Sequence, residues 1–226
     1  MTNLEFSREF DILYNNIMSN SAPGLTEYDK SVLLTQAQES LIKMLYGNSD
    51  SSISFEIDEK TRKSLDELVN SLSITNQVSS NMLLTDHSVV YQIPENAWFV
   101  IFEEVIISSN DCNNGKRILV VPVTHDEFYK INENPFRNAN DRRCLRLNQS
   151  FRCVELICKY DISSYFIRYI KRPSPIILTD LIGDLSINGY SAETECELNE
   201  VVHRDILNLA IQLAKQISFA MPTSNK

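Results

Sequence analysis

The side chains from which acid–base, nucleophilic or metal chemistry would most readily be built are three histidines, five cysteines and a few close carboxylates. His203 begins "HRDIL" on the polar side of a C-terminal helical pattern. That spacing is not H-E-x-x-H, so the zinc-protease arrangement is absent. His125 opens a short helical stretch after Thr124, and His87 follows Asp86 ahead of a strand pattern. Each reads as a surface or capping histidine. "GYSAE" (189–193) shares part of the nucleophile elbow but lacks its last glycine and the strand-to-helix turn that exposes the serine. The pairs Glu9/Asp11 and Glu195/Glu197 have no third ligand at a spacing that would specify a metal. The cysteines form no C-x-x-C pair, and an odd number at irregular spacing is not a disulfide framework. Cys153 and Cys158, five apart in a strand pattern, point to opposite faces. No catalytic residue, metal ligand or cofactor site is assigned.

Only five glycines occur in 226 residues, about a third of the usual frequency, and their scatter builds neither G-x-G-x-x-G nor a P-loop. Apolar residues make up 43%, enough for an ordinary core. The longest apolar run, from Ala97, is broken by Glu103 and Glu104 and is far short of the roughly 20 residues needed to span a bilayer. The acidic first twenty residues do not resemble a secretory leader, so synthesis and residence in the cytoplasm are expected.

Helices frame the pattern. Phe6, Phe10, Leu13 and Ile17 recur at helical spacing over 3–19, and "SNSAPG" then breaks the pattern. Thr26 and Asp29 form a capping-box pair that starts a second helix ending at Gly47. Its apolar face is Leu34, Ala37, Leu41 and Leu45, and the polar remainder, Gln38 included, reads as a solvated face or a modest contact surface. A third helix, 59–72, is capped by Asp58. Residues 88–93, 98–107 and 116–123 change to strand composition and read as a meander with a long hairpin. Adjacent Glu103 and Glu104 must face opposite ways there, which favours a bulge or sheet edge. A short helix from Thr124 with Glu127, strands near 143–148, 151–159 and 163–171, and a final helix 199–219 capped by Asn199 complete the chain. Its face is Val202, Ile206, Leu209, Leu213 and Ile217. The expected fold is α+β: residues 1–73 with 197–226 as a helical bundle, and 74–196 as a β-rich body between them.

Residues 137–172 hold nine basic side chains against three acids, so the rest of the chain carries −15 of a total of −9. Such a segment suits a phosphate backbone or an acidic protein neighbour. Protein contact is preferred, because the overall acidity, pI about 4.9, repels DNA at long range and no aromatic platform is interleaved.

Four stretches, "EFDILYNNIMSNSAPGLTEYDKSVLLTQAQESLI", "NENPFRNANDRRCLRL", "SYFIRYIKRPSPIIL" and "CELNEVVHRDILNLAIQLAK", together resemble the head-to-tail connector, or ring, proteins of short-tailed bacteriophages, most closely those of crAss-like phages. The resemblance implies a non-enzymatic virion protein that forms a homo-oligomeric ring, commonly of twelve copies, beneath the portal protein. Such a ring joins capsid to tail, contacts adjacent tail or ring proteins, and passes DNA through its lumen without sequence-specific binding, with no membrane involved. It also implies that the loop and strand residues Pro135, Phe136, Arg137, Arg142, Arg143, Arg146 and Arg172 lie at subunit or ring contacts, and that Phe219, Met221 and Pro222 belong to a docking tail. The rival readings are a nucleic-acid-binding module using 137–172 and a phage hydrolase whose site no motif marks.

Overall fold

The structure, a computed structural model, describes residues 1–17, 24–47, 59–78, 83, 85, 88–109, 113–150 and 152–220. Among the described residues five α-helices and seven strands occur, in the order α1 (Asn3–Ile17), α2 (Glu27–Gly47), α3 (Glu59–Leu65), β1 (Val69–Ile74), β2 (Ser88–Gln92), β3 (Ala97–Ser108), β4 (Arg117–Pro122), α4 (His125–Asn132), β5 (Arg143–Ser150), β6 (Cys153–Ile157), β7 (Asp161–Lys171) and α5 (His203–Ala220). The class is α+β. Two compact units emerge, one of residues 1–68 with 173–226 and one of 69–172.

In the first unit the capping box forms as its sequence dictates. The Thr26 amide donates to Asp29 Oδ2 at 3.0 Å and the Asp29 amide to Thr26 Oγ1 at 3.2 Å, satisfying donors that a helix start leaves open. Gly47 does not provide a left-handed stop, because α2 is still helical there. Phe6, Phe10, Leu34, Ala37, Leu41 and Ile42 are buried as amphipathic periodicity requires. Lys30 is also buried, its ammonium 2.7 Å from Asp11 and 2.9 Å from Glu27. Burial pulls its pKa down, and the two carboxylates more than offset this, leaving it raised.

Gln38 is not on the solvated side of α2. With Ser31 and Thr35 it forms a buried polar row at positions i, i+4 and i+7. That row binds the main chain of an extended segment. Leu178 N donates to Ser31 Oγ at 3.0 Å, Ile176 N donates to Thr35 Oγ1 at 3.1 Å, and Gln38 Nε2 donates to the Ser174 carbonyl at 3.0 Å. From the other side Asn3 Nδ2 donates to the Ile177 carbonyl at 3.1 Å. Ile176, Ile177 and Leu178 are buried between these partners.

The C-terminal helix is capped by Asn199, whose side chain accepts from Val201 N at 3.1 Å, and its first turn is a 3-10 turn, Glu200–Val202. Its buried face is rotated from the expected one. Val202 and Ile206 are joined by His203, Leu207, Ala210, Ile211 and Ala214, whereas Leu209 and Leu213 are half-buried and Ile217 is 48% exposed. His203 is therefore a core residue rather than a polar-face one. Its ring contacts the Leu198 carbonyl at 2.8 Å and the Met1 amine at 2.7 Å, and it packs on Phe6.

The second unit is a seven-stranded sheet in the order β1-β7-β3-β4-β5-β6-β2. The third helix stops at Leu65, and Val69–Ile74 instead pairs antiparallel with β7. Asn70, Ser71 and Ser73 are weak helix formers, and a β7 edge offers their backbone a full ladder. β3 and β4 are antiparallel neighbours, as expected of a hairpin, but β2 lies at the far edge against β6, so no three-strand meander exists. β4 and β5 are parallel, with α4 in the crossover between them. Phe128 of α4 packs on Leu145, Leu147 and Ile157. Thr124 makes no side-chain cap bond; its carbonyl receives Phe128 N instead.

Glu103 and Glu104 sit in regular register opposite Ile167 and Phe166, with bulges elsewhere in β3. Glu103 therefore does face inward, where both its oxygens accept from Arg146 Nη1 at 2.8 Å and one accepts from the Tyr165 hydroxyl. Burial, followed by the Glu103 charge, drives the Tyr165 pKa up. Glu104 pairs outward with Arg117 at 2.7 Å. A partnered buried charge is tolerated, whereas an abandoned one is not. Glu103→Ala leaves Arg146 without its counter-ion and is expected to cost about 3–5 kcal/mol, read as a lowered urea midpoint. Glu103→Gln, which keeps the shape and one acceptor, is expected to cost less.

Candidate interaction surface

The loop 133–142 connects α4 to β5, and its side chains hold it in shape. The backbone leaves α4 with Asn134 N donating to Ile131 O, and Asn134 Oδ1 then accepts from Phe136 N at 3.0 Å. Asn138 Oδ1 accepts from the next amide, and Asn140 Oδ1 accepts from Arg142 N at 2.9 Å. Asn140 and Arg143 exchange backbone hydrogen bonds, which starts β5. Short amide side chains satisfying nearby main chain are what asparagine supplies in turns. A loop braced internally in this way does not need a neighbour to order it.

Its base is tied as well. The Asp141 carboxylate accepts from Lys159 Nζ at 2.9 Å and from the Tyr160 hydroxyl at 2.8 Å. These two bonds hold the Asp141 pKa below its ordinary 3.8.

This brace presents an unusual tip. Phe136 is 88% exposed and Tyr129 of α4 65%, and Pro135, Arg137 and Arg142 are exposed beside them. Among the described residues neither Arg137 nor Arg142 has an ion-pair partner. Arg143 is half-buried, with Nη1 3.3 Å from the Arg137 carbonyl.

The other residues of the expected contact set are placed differently. Arg146 is held by Glu103 and is 14% exposed. Arg172 is exposed at the end of the second unit, with its amide on the Asn96 carbonyl. Phe219 lies in α5, and Met221 and Pro222 lie outside the described residues, as do His87 and Asp58. His125 contacts the Asn148 carbonyl at 2.8 Å. Among the described residues no group of three or more His, Cys, Asp or Glu is placed to hold a metal ion, and no helix is long and apolar enough to cross a membrane.

A second surface, in the first unit, was not singled out from the sequence. Residues 173–203 contain six acids and no lysine or arginine. Within that segment Asp180, Asp184, Glu193, Glu195 and Glu200 are exposed, and so is Ile182, at 89%. The signal was present as a one-sided charge run, diluted by counting the acids over the whole chain.

Lowering the pH tests the loop's base. Because the folded Asp141 pKa is depressed, its two bonds are intact above pH 3.8 and are lost only as pH falls through the lower folded value. An NMR titration is expected to show Lys159 and Tyr160 signals moving together with a midpoint below that of a free aspartate. Asp141→Asn is expected to remove the step.

The description "Phage tail ring protein 3/4" fits the chain over residues 1–226. The chain is 43% identical to Ring protein 3 of Bacteroides phage crAss001 over the full length of both, and 37% identical to Ring protein 4/5 of the same phage, with 93% of this chain and 91% of that one covered. An internally braced loop with an exposed aromatic and, among the described residues, two guanidinium groups outside any ion pair is thus found in a chain related throughout to proteins named for a ring. The chain belongs to the phage tail ring protein 3/4 family, and its place is among the structural proteins of a bacteriophage particle.

Proposed function

We propose that the protein is one subunit of a closed ring, commonly of twelve copies, in the head-to-tail connector below the portal, where it joins capsid to tail and continues the DNA channel. A closed ring uses a heterologous contact, in which one patch of each copy meets a different patch of the next. The observation that carries the reading is the tip of loop 133–142, with Phe136 exposed and Arg137 and Arg142 unpaired among the described residues. The acidic segment 180–200, with Ile182 at its surface, supplies the matching patch on the neighbouring copy. Apolar contact at Phe136 and Ile182 gives the interface its dry centre, and the surrounding charges fix orientation and reject wrong partners. Arg143 extends the basic patch, and Arg172, at the opposite end of the sheet beside Asn96, is assigned to a separate subunit or ring contact. Arg146, committed to Glu103, stands outside it. The C-terminal residues Phe219, Met221 and Pro222 are assigned to docking on the portal or an adjacent ring, and acidic side chains to the lumen, where they would not retain passing phosphates.

Arg142→Glu with Arg143→Glu is expected to weaken subunit association about tenfold or more, measured by native mass spectrometry or by ring counts in electron micrographs, with the monomer's circular dichroism unchanged. Reversing Asp180 and Asp184 to lysine in the same chain is expected to restore part of the loss. Intact rings in the double Glu variant would reject this interface. The rival nucleic-acid reading gives a different result: DNA affinity falling steeply between two salt concentrations and abolished by the same substitutions.

A further inference from the structure

β5 and β6 are antiparallel, with Arg146 opposite Leu156 and Leu145 opposite Ile157. Cys144 precedes Leu145 in β5 and Cys158 directly follows Ile157 at the end of β6, so continuing the register by one step sets Cys144 opposite Cys158. Directly opposed residues of an antiparallel pair have Cα atoms about 4.5–5.5 Å apart, within the 4.4–6.8 Å range that a disulfide spans. Both side chains belong to one core cluster, at 0% and 3% exposure, and both are free thiols. The Cys144 sulfur lies 3.7 Å from the Leu145 carbonyl, and each of the two sulfurs is the largest influence on the other's ionisation. We propose that Cys144 and Cys158 are an oxidative modification site, a cross-strand thiol pair that a small peroxide closes into a disulfide joining β5 to β6.

The pair is asymmetric in a way that assigns the steps. The Cys144 thiol and the Tyr160 and Lys159 amides favour the Cys158 thiolate, which brings its pKa down to about 7 against the opposing effect of burial. The Cys158 sulfur, with burial, drives Cys144 well up. The Cys158 thiolate attacks one oxygen of hydrogen peroxide, the O–O bond breaks, hydroxide leaves and a sulfenic acid remains. The Cys144 sulfur then attacks the Cys158 sulfur, the S–O bond breaks, and the hydroxyl departs as water with the Cys144 proton. Two electrons pass from the two sulfurs to the peroxide. The closed loop spans residues 144–158 and begins one residue after Arg143, so it fastens the base of the exposed loop. A particle assembled in a reducing cytoplasm leaves that compartment on release, and the pair responds to that change.

The test uses the full-length reduced chain, treated with hydrogen peroxide, alkylated and digested with trypsin without reductant. Cleavage after Arg143, Arg146, Arg152 and Lys159 releases Cys144–Arg146 and Cys153–Lys159 as separate peptides unless a disulfide joins them. The expected product is the joined peptide, two hydrogens lighter than the sum and split by reductant, with fragment ions placing the bond on Cys158 rather than Cys153. It is expected to form faster at pH 8 than at pH 6, to persist in Cys153→Ser and to be missing in Cys158→Ala. Thermal unfolding of the oxidised chain is expected about 5 °C higher. A bond on Cys153, a sulfinic acid on Cys158 with no joined peptide, or two thiols that stay unreacted at peroxide concentrations that oxidise an unfolded control would each overturn the proposal.

Discussion

The extended segment Ser174–Leu178 has a backbone partner on one side only, where Ile177 and Thr194 exchange hydrogen bonds, and on its other side the donors and acceptors come from the side of a helix. Ser31, Thr35 and Gln38 hold the main chain of Ser174–Leu178 as a strand partner would, and Asn3 closes the opposite side. Each of these bonds joins residues more than a hundred positions apart. Without the row, the amides of Ile176 and Leu178 would be buried and unsatisfied, at a cost comparable to the stability of a small domain once several are added. The same row explains why α2 carries polar residues among its apolar ones.

The second unit meets a similar difficulty with charge. Glu103 faces the interior because strand alternation gives one of two adjacent glutamates no other direction, and Arg146 from β5 with Tyr165 from β7 reach it there. A buried carboxylate shared by three strands ties β3, β5 and β7 to one register, since a one-residue slip would remove its partners. With register fixed, the loop ahead of β5 has a firm base, and its own asparagines shape the rest.

Local signals in the sequence translated well into structure. The Thr26–Asp29 box, the Asn199 cap, the strand composition of 98–107 and 116–123 and the proline stop after β7 are all decided within a few residues, and each was legible. What was not legible depends on partners distant in sequence. Val69–Ile74 reads as the end of a helix until β7 is present to pair with it, and β2 reads as next to β3 until β6 takes it. Gln38 and His203 look solvent-facing by periodicity alone, because periodicity marks apolar stripes and cannot register a buried polar group that has found a hydrogen bond. The loop's basic and aromatic residues were visible, but not which guanidinium groups remain unpaired: Arg146 and Arg142 look alike in sequence and differ only in whether a glutamate lies opposite.

The sheet order also has a consequence for how the polypeptide comes off the ribosome. Both edge strands are made early, and their partners, β6 for one and β7 for the other, are made late. The segment that α2 grips emerges later still. The second unit cannot close before β7 has been made, nor the first before α5 has, so neither buries its apolar surface as its early elements emerge. Each unit therefore waits for its own last element, and the second is complete ahead of the first.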